Sequence, residues 1–389
     1  MPVLKRLLCL TLTITLLLTT AGCWDRRDLE ERISVVAIAV DKPSQEEQNA
    51  GQKYKVTIQV PIPIRIAGGA EGGGGGGGGG AESVKVMSAT GFSVSQALDN
   101  LQKRLNQQLF MGHTRVLVIS EEVARERIKE IIDGFRRNPQ IRRLLWLLIS
   151  EGKAEDVLRV YTDLEQVPIV YIMLMLENGA RMEELPDISL GDFYIALSST
   201  TFEPQTNYIK ADKNEVAWKG VALFKGAKMI GTLTDSEAWI LMQLQGMGTG
   251  GEFLVSINEN DKRHQVLLDP EHLKTKTRIQ VNNGQIKASY HVEIEAEVKE
   301  KNADIQLNDP AVLEDVAKKA EEQLQNRAHE LISKLQTEYG VDALKLGLKL
   351  KAYHYKTWEK IDWEKEFPHA IIDVTYDVKI RRTGMQMKL

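Results

Sequence analysis

The chain has 389 residues, 43% hydrophobic and 27% charged, with a formal net charge of −4. A weakly acidic chain of this length lacks the bulk charge to hold nucleic acid and is too long for one compact core. Its two cysteines supply no disulfide framework, so at least two domains with ordinary hydrophobic cores are expected.

The first segment has the anatomy of an export signal: Lys5 and Arg6, an apolar stretch from Leu7 to Leu18, then Ala21 and Gly22 before Cys23. That apolar stretch is shorter than the roughly 20 residues a membrane-spanning helix needs. Cleavage between Gly22 and Cys23 is therefore expected, and an uncleaved anchor is the lesser reading. Thr20-Ala21-Gly22-Cys23 follows the bacterial lipobox, with Thr20 where leucine is most usual. On this reading residues 1–22 leave as a signal peptide and Cys23 carries an S-diacylglycerol and an N-acyl group. Cys9, Lys5 and Arg6 leave with the signal, so no free thiol remains and the mature chain is more acidic. Nothing later in the chain is a long uncharged apolar run, so the lipid is the expected anchor, and two acyl chains are enough for stable membrane residence. Trp24 suits a bilayer interface, and suits packing on the first domain equally well.

Ile33 to Val40 is a nearly continuous apolar run that reads as one buried strand. Tyr54, Val56, Ile58 and Val60 alternate with polar residues and predict a strand with one wet face, ending at Pro61 and Pro63. Residues 67–82 include nine consecutive glycines, Gly72 to Gly80, a composition that predicts disordered coil at a hairpin tip. The run matches a dinucleotide fingerprint only trivially, without strand-turn-helix context. The partner strand is expected to resume near Ser83 to Ser88. Ser93 to Leu109 has helical spacing, with Ser93 or Ser95 as the cap. Arg115 to Ser120 reads as a strand, and Ser120 opens a helix carrying Glu121 and Glu122 in its first turn. Leu144 to Ile149 is a further strand, followed by short helices near 154–160, 169–177 and 192–197.

The polar stretch Asn207 to Asn214 marks the expected main boundary, between a domain at 23–206, which could itself divide in two, and one at 215–384. Ala217 to Phe224 and Met229 to Leu233 form a hairpin turning at Lys225-Gly226-Ala227-Lys228. Thr234 and Glu237 make a capping box for the next helix. Ala288, Tyr290, Val292, Ile294, Ala296 and Val298 alternate with polar residues over one long strand that is dry on one side. Asp309-Pro310 opens the strongest helix, which Gly340 stops, and Ile372 to Ile380 alternates again. The fold class is thus α+β and multidomain: a mixed α/β N-terminal half, then an antiparallel sheet with one long helix.

Several segments together resemble the Ger(x)C family, the lipoprotein C subunits of spore germinant receptors. They are Gly22-Cys23-Trp24-Asp25-Arg26-Arg27-Asp28-Leu29, Ser88-Ala89-Thr90-Gly91, and Gly112-His113 leading into Val116-Leu117-Val118-Ile119. Lys219-Gly220-Val221-Ala222-Leu223-Phe224 and Lys379-Ile380-Arg381-Arg382-Thr383-Gly384 complete the set, in the family's order. The polyglycine insertion and Asp28, where glutamate is expected, are departures. The resemblance implies a non-enzymatic subunit of mixed α+β domains on the outer face of the inner spore membrane, beside receptor A and B membrane subunits. It places lipid attachment at Cys23.

Independent chemical signals are sparse. The seven histidines show no metal spacing, and no cofactor motif occurs. His291 lies on the polar side of its strand, and His113 reads as a turn residue bonded to backbone. Glu293, Glu295 and Glu297 share a strand face and read as solvated charges rather than an acid–base pair. No GxSxG elbow is present. Arg136, Arg137, Arg142 and Arg143 cluster around Pro139. They read as a charged turn or, more sharply, as a contact with anionic lipid or an acidic partner surface. A lipid-anchored solute-binding protein of a transporter is the main alternative; it would ordinarily show two similar lobes, as these halves do not. An envelope hydrolase would need a converging pocket with a strongly shifted carboxylate.

Overall fold

A computed structural model describes residues 32–62, 83–162, 164–259, 262–301, 307 and 309–382, with Leu4, Arg6 and Leu7. The first half contributes β1 (Arg32–Ser34), β2 (Ala37–Asp41), α1 (Gln45–Asn49), β3 (Tyr54–Pro61), β4 (Val84–Gly91), α2 (Val94–Gln102) and β5 (Gln108–Phe110). It continues with β6 (Val116–Ser120), α3 (Glu121–Arg137), β7 (Trp146–Glu151), α4 (Ala154–Arg159), α5 (Pro168–Arg181) and α6 (Leu190–Leu197). The second half contributes β8 (Gln205–Ala211), β9 (Val216–Lys225), β10 (Lys228–Leu233), α7 (Asp235–Gln245), β11 (Phe253–Glu259), β12 (Lys262–Asn282) and β13 (Gln285–Lys301). Last come α8 (Pro310–Ser333), α9 (Leu346–Tyr353), α10 (Tyr355–Trp358), α11 (Trp363–Glu366) and β14 (Ile371–Arg382). The fold is α+β.

Eight strands form one sheet in the order β10-β9-β8-β7-β6-β2-β3-β4, with β2, β6, β7 and β8 parallel at its centre. Helices cover both faces, the arrangement parallel strands require. Val40, Ile58, Ile119 and Ile149 face one core with α2, α3 and α6, while Ala39, Val118 and Leu148 face another with α4 and α5. This double cover corrects the expected wet face of β3. Thr57 and Gln59 are fully buried, Thr57 bonding Ser88 at 2.9 Å and Gln59 Nε2 donating to Leu158 O at 2.8 Å.

Competing strand partners correct two further boundaries. The run Ile33 to Val40 divides at Val35 and Val36, because β1 pairs with β5 in a separate two-stranded sheet while β2 pairs with β3 and β6. The helix capped by Ser93 ends at Gln102, since Gln108 to Phe110 is drawn into that pairing. The β3–β4 hairpin forms with Pro61 opposite Val84; the glycine run at its tip lies outside the described residues.

The second sheet has the order β11-β12-β13-β14. The alternation of β13 is realised residue for residue, and α8 packs on its dry face through Val316, Ala320, Leu324 and Leu331. The Asp309 side chain accepts from Ala311 N at 2.9 Å and caps α8. β14 joins β13 in parallel rather than antiparallel, because α8 carries the chain back across the sheet before β14 begins. β11 and β12 are absent from the sequence expectations.

The seam expected between 206 and 215 is not a break in the sheet. β8 and β9 pair antiparallel across it, and two polar residues of β8, Thr206 and Asn207, are buried and bonded. Thr206 Oγ1 donates to Leu147 O at 2.5 Å, Asn207 Nδ2 to Pro186 O at 3.0 Å, and Trp218 Nε1 to Asn207 Oδ1 at 2.9 Å. β9 then serves two cores. Ala222 and Phe224 pack into the first half, and Val221 and Leu223 into the core that holds α7 and α8. Gly220 makes this possible, at φ +119° in a β-bulge; a Cβ there would lie 2.0 Å from Leu233 O. Gly91 is a second forced glycine, since a Cβ would meet Ala97 N at 2.5 Å where α2 abuts β4.

Candidate functional site

In open sheets with parallel strands, ligand sites gather beyond the carboxyl ends of those strands. Here the ends of β2, β6 and β7 open on a cleft of about 690 Å³ lined by Asp41, Lys42, Lys55, Ser120, Arg125 and Glu155 among others. Asp41 is buried, and its two carboxylate oxygens accept from Ala154 N at 2.7 Å and Glu155 N at 2.8 Å. It caps α4, whose own cap position, Lys153, supplies no side-chain bond. Burial raises the proton affinity of Asp41 and the two backbone bonds oppose that. Several of the other charges are paired: Lys42 with Glu122 at 2.9 Å and Glu126 at 3.1 Å, Arg125 with Glu121 at 2.7 Å, and Lys55 with Glu155. The Ser120 hydroxyl is buried without a hydrogen-bond partner, and no histidine lines the cleft. A hydroxyl with no base beside it is not an activated nucleophile. Ser120 occupies the first cap position of α3 as expected, but its side chain makes no capping bond.

A second cleft, of about 720 Å³, lies where the halves meet and includes Phe202, Glu203, Asp342, Trp358 and Trp363. Asp342 is buried and accepts from Leu346 N at 3.1 Å, Gly347 N at 2.6 Å and Trp363 Nε1 at 3.0 Å. Burial nonetheless pushes its pKa up to about 6. Its bonds join the loop after α8 to α9 and α11, which is a structural role.

Gly22, Cys23 and Trp24 lie outside the described residues. The four arginines do come together at one end of the molecule. Arg136 and Arg137 close α3, and Arg142 and Arg143 lie in the exposed connection to β7. Arg137 pairs with Asp133 at 2.9 Å, and Arg136 sits 6.0 Å from the ring of Tyr194, whose phenol burial pushes up to about 12. Arg142 and Arg143 form no ion pair with a described residue. The sequence reading placed Leu144 in a buried strand; instead β7 begins at Trp146 and Leu144 is 88% exposed. Only the leucine count of Leu144-Leu145-Trp146 suggested burial, and that count cannot tell the last loop residue from the first strand residue.

His113 is held by a side chain rather than by backbone, with Nδ1 3.1 Å from Ser34 Oγ and its ring edge-on to Phe110. His291 is part-exposed, 3.1 Å from Thr375 Oγ1. Glu293 pairs with Lys276 and Glu295 with Arg381, each at 2.5 Å. Those hydrogen bonds hold both carboxyls below the usual range, opposite to what a general acid needs. Among the described residues no cluster of His, Cys, Asp and Glu could hold a metal, and no helix is long and apolar enough to cross a membrane.

Comparison with known proteins supplies what the clefts do not. Residues 25–211 match the spore germination protein N-terminal domain, and residues 219–384 match the spore germination B3/GerAC-like C-terminal domain. Spore germination protein YndF of Bacillus subtilis (strain 168) is 28% identical over 399 residues, covering 97% of this chain and 96% of YndF. Spore germination protein KC of the same organism is 24% identical, covering 97% of this chain and 96% of KC. The crystal structure of the GerBC protein superposes with a TM-score of 0.58 at 18% identity, over 88% of this chain and 96% of that one, which supports the shared fold. With both domain models matched in order over most of its length, the chain belongs to the Ger(x)C family of spore germination proteins.

Proposed function

We propose that this chain is the lipid-anchored C subunit of a nutrient germinant receptor and works through protein contacts at the outer face of the inner spore membrane, beside A and B membrane subunits. The observation that carries this reading is the match of both family domains over residues 25–384, beginning two residues after the lipobox cysteine. Cys23 is the acylated residue, Gly22 the last residue of the signal, and Trp24 an anchor at the headgroup level. The division into 23–206 and 215–384 is proposed as a division of sequence units that share strand β9, not of separable bodies.

Spores carrying Cys23→Ala test this, compared with wild type and with a full deletion. The expected outcome is loss of the protein from the membrane fraction together with loss of the response to one nutrient class, while other triggers still work. Unchanged germination in both the variant and the deletion would overturn the receptor-subunit role.

A further inference from the structure

The basic cluster gains a direction from its place in the fold. Arg142, Arg143 and Leu144 lead into β7, at the amino ends of the parallel strands β2, β6 and β7 and opposite the cleft that holds Asp41. Exposed Arg115 precedes β6 on the same edge, where Arg115 O accepts from Trp146 N at 2.9 Å. The loop is also fastened to the β1–β5 pair. Met111 N donates to Gln140 Oε1 at 3.0 Å, Val35 N donates to Phe110 O at 2.9 Å, and the Arg32 guanidinium lies 5.1 Å from the Phe110 ring. Only eight residues lie between Cys23 and Arg32, a tether that reaches at most about 30 Å.

The chemistry of this edge suits one kind of surface. The acidic groups nearest the arginines are already occupied: Asp133 pairs with Arg137, and Asp192 is spent in the capping box with Ser189. Leu144, 88% exposed, projects between Arg143 and buried Leu145. Ile195, 63% exposed, lies one turn beyond Gly191, whose N–H donates to Arg143 O at 2.8 Å. Uncompensated guanidinium groups around protruding aliphatic side chains match a layer of phosphates over hydrocarbon. An acidic protein face would leave the two aliphatic tips against charge.

We infer that this edge, with Arg142, Arg143 and Leu144 at its centre, rests on anionic phospholipid headgroups, leaving the opposite cleft and the long helix side free for partner subunits. The inference rests on the tether at Cys23, and the test separates the two. The acylated full-length protein is reconstituted into vesicles of phosphatidylglycerol mixed with phosphatidylcholine, and into vesicles of phosphatidylcholine alone. An environment-sensitive fluorophore is carried on Leu144→Cys or, as a control, on Leu254→Cys, an exposed position on β11. The probe at 144 should shift to the blue in the phosphatidylglycerol vesicles and much less in phosphatidylcholine, with the shift lost in Arg142→Gln/Arg143→Gln and reduced by salt; the probe at 254 should not respond. Removing two arginines should weaken the anionic contact roughly tenfold or more. Equal signals in both vesicles, or indifference to the arginine changes, would overturn the surface. Mass analysis of the N-terminal peptide tests the tether on its own: an acylated Cys23 with a silent probe leaves the tether standing and removes the surface. An unacylated Cys23 with a probe that still answers phosphatidylglycerol does the reverse.

Discussion

β6 and β13 are both core strands, but they solve the problem of polar atoms in opposite ways. β6 lies between two helical layers, and every residue from Val116 to Ser120 is buried. In such a sheet most polar side chains find a partner of their own, as Thr57, Thr206 and Asn207 do and as the Gln59 amide nitrogen does, while the Ser120 hydroxyl at the end of β6 stays unpaired. β13 has helix α8 on one face and water on the other, where Glu293 and Glu295 pair across strands with Lys276 and Arg381. The first half therefore depends on a few irreplaceable bonds, while the second spreads its polar interactions over a forgiving surface. β9 belongs to both schemes.

The sharpest way to break this comparison is at the shared strand. Gly220→Ala should destabilise the protein by about 3 kcal/mol or more, because φ +119° and the backbone of Leu233 and Thr234 leave the new methyl no escape. Denaturant unfolding followed by both circular dichroism and tryptophan fluorescence should show the two halves weakened together. A loss confined to one of two separate transitions would mean that β9 does not couple them.

The next effect lies at the seam. Asp342 has a folded pKa of about 6 against an ordinary 3.8, so the folded state prefers the protonated acid. Its contribution is complete below pH 3.8 and is lost as pH rises through 6. By linkage, the stability of the parent relative to Asp342→Asn should fall by about 3 kcal/mol between pH 3 and pH 8. Parallel pH profiles for the two proteins would show that the carboxyl is ionised at no penalty.

The smallest effect compares the faces directly. Asn207→Ala strands both Pro186 O and Trp218 Nε1, and should cost about 1–3 kcal/mol. Glu295→Gln, on the wet face, should leave the melting temperature unchanged within error, since exposed ion pairs contribute little. Equal losses at the two positions would remove the distinction between the sheets.

Legibility in the sequence follows the same physical divide. The alternation of β13 and β14 could be read because one face meets water, and the Thr234–Glu237 capping box and the Asp309 cap could be read because they are local. That Thr206 and Asn207 are buried was not legible, since no local pattern reveals that β8 pairs with β7 and β9 inside one sheet. β12 was not anticipated, because its polar and apolar residues acquire an order only beside β11 and β13. For the candidate surface, the cluster of arginines was visible in the chain, but the exposure of Leu144 and its neighbourhood with Arg115, Arg32 and Ile195 were not.

By itself the sequence determined the family motifs, the local helix caps and the amphipathic helices. All of these are properties of adjacent residues or of short-range sterics. Only the tertiary structure decided that β9 closes one sheet while roofing another core, that the apolar run at Ile33 to Val40 divides between two sheets, and that the basic loop sits beside the connection after β5. Those facts depend on which distant segments compete for the same hydrogen bonds and the same buried surface, and that competition is settled only when the whole chain has folded.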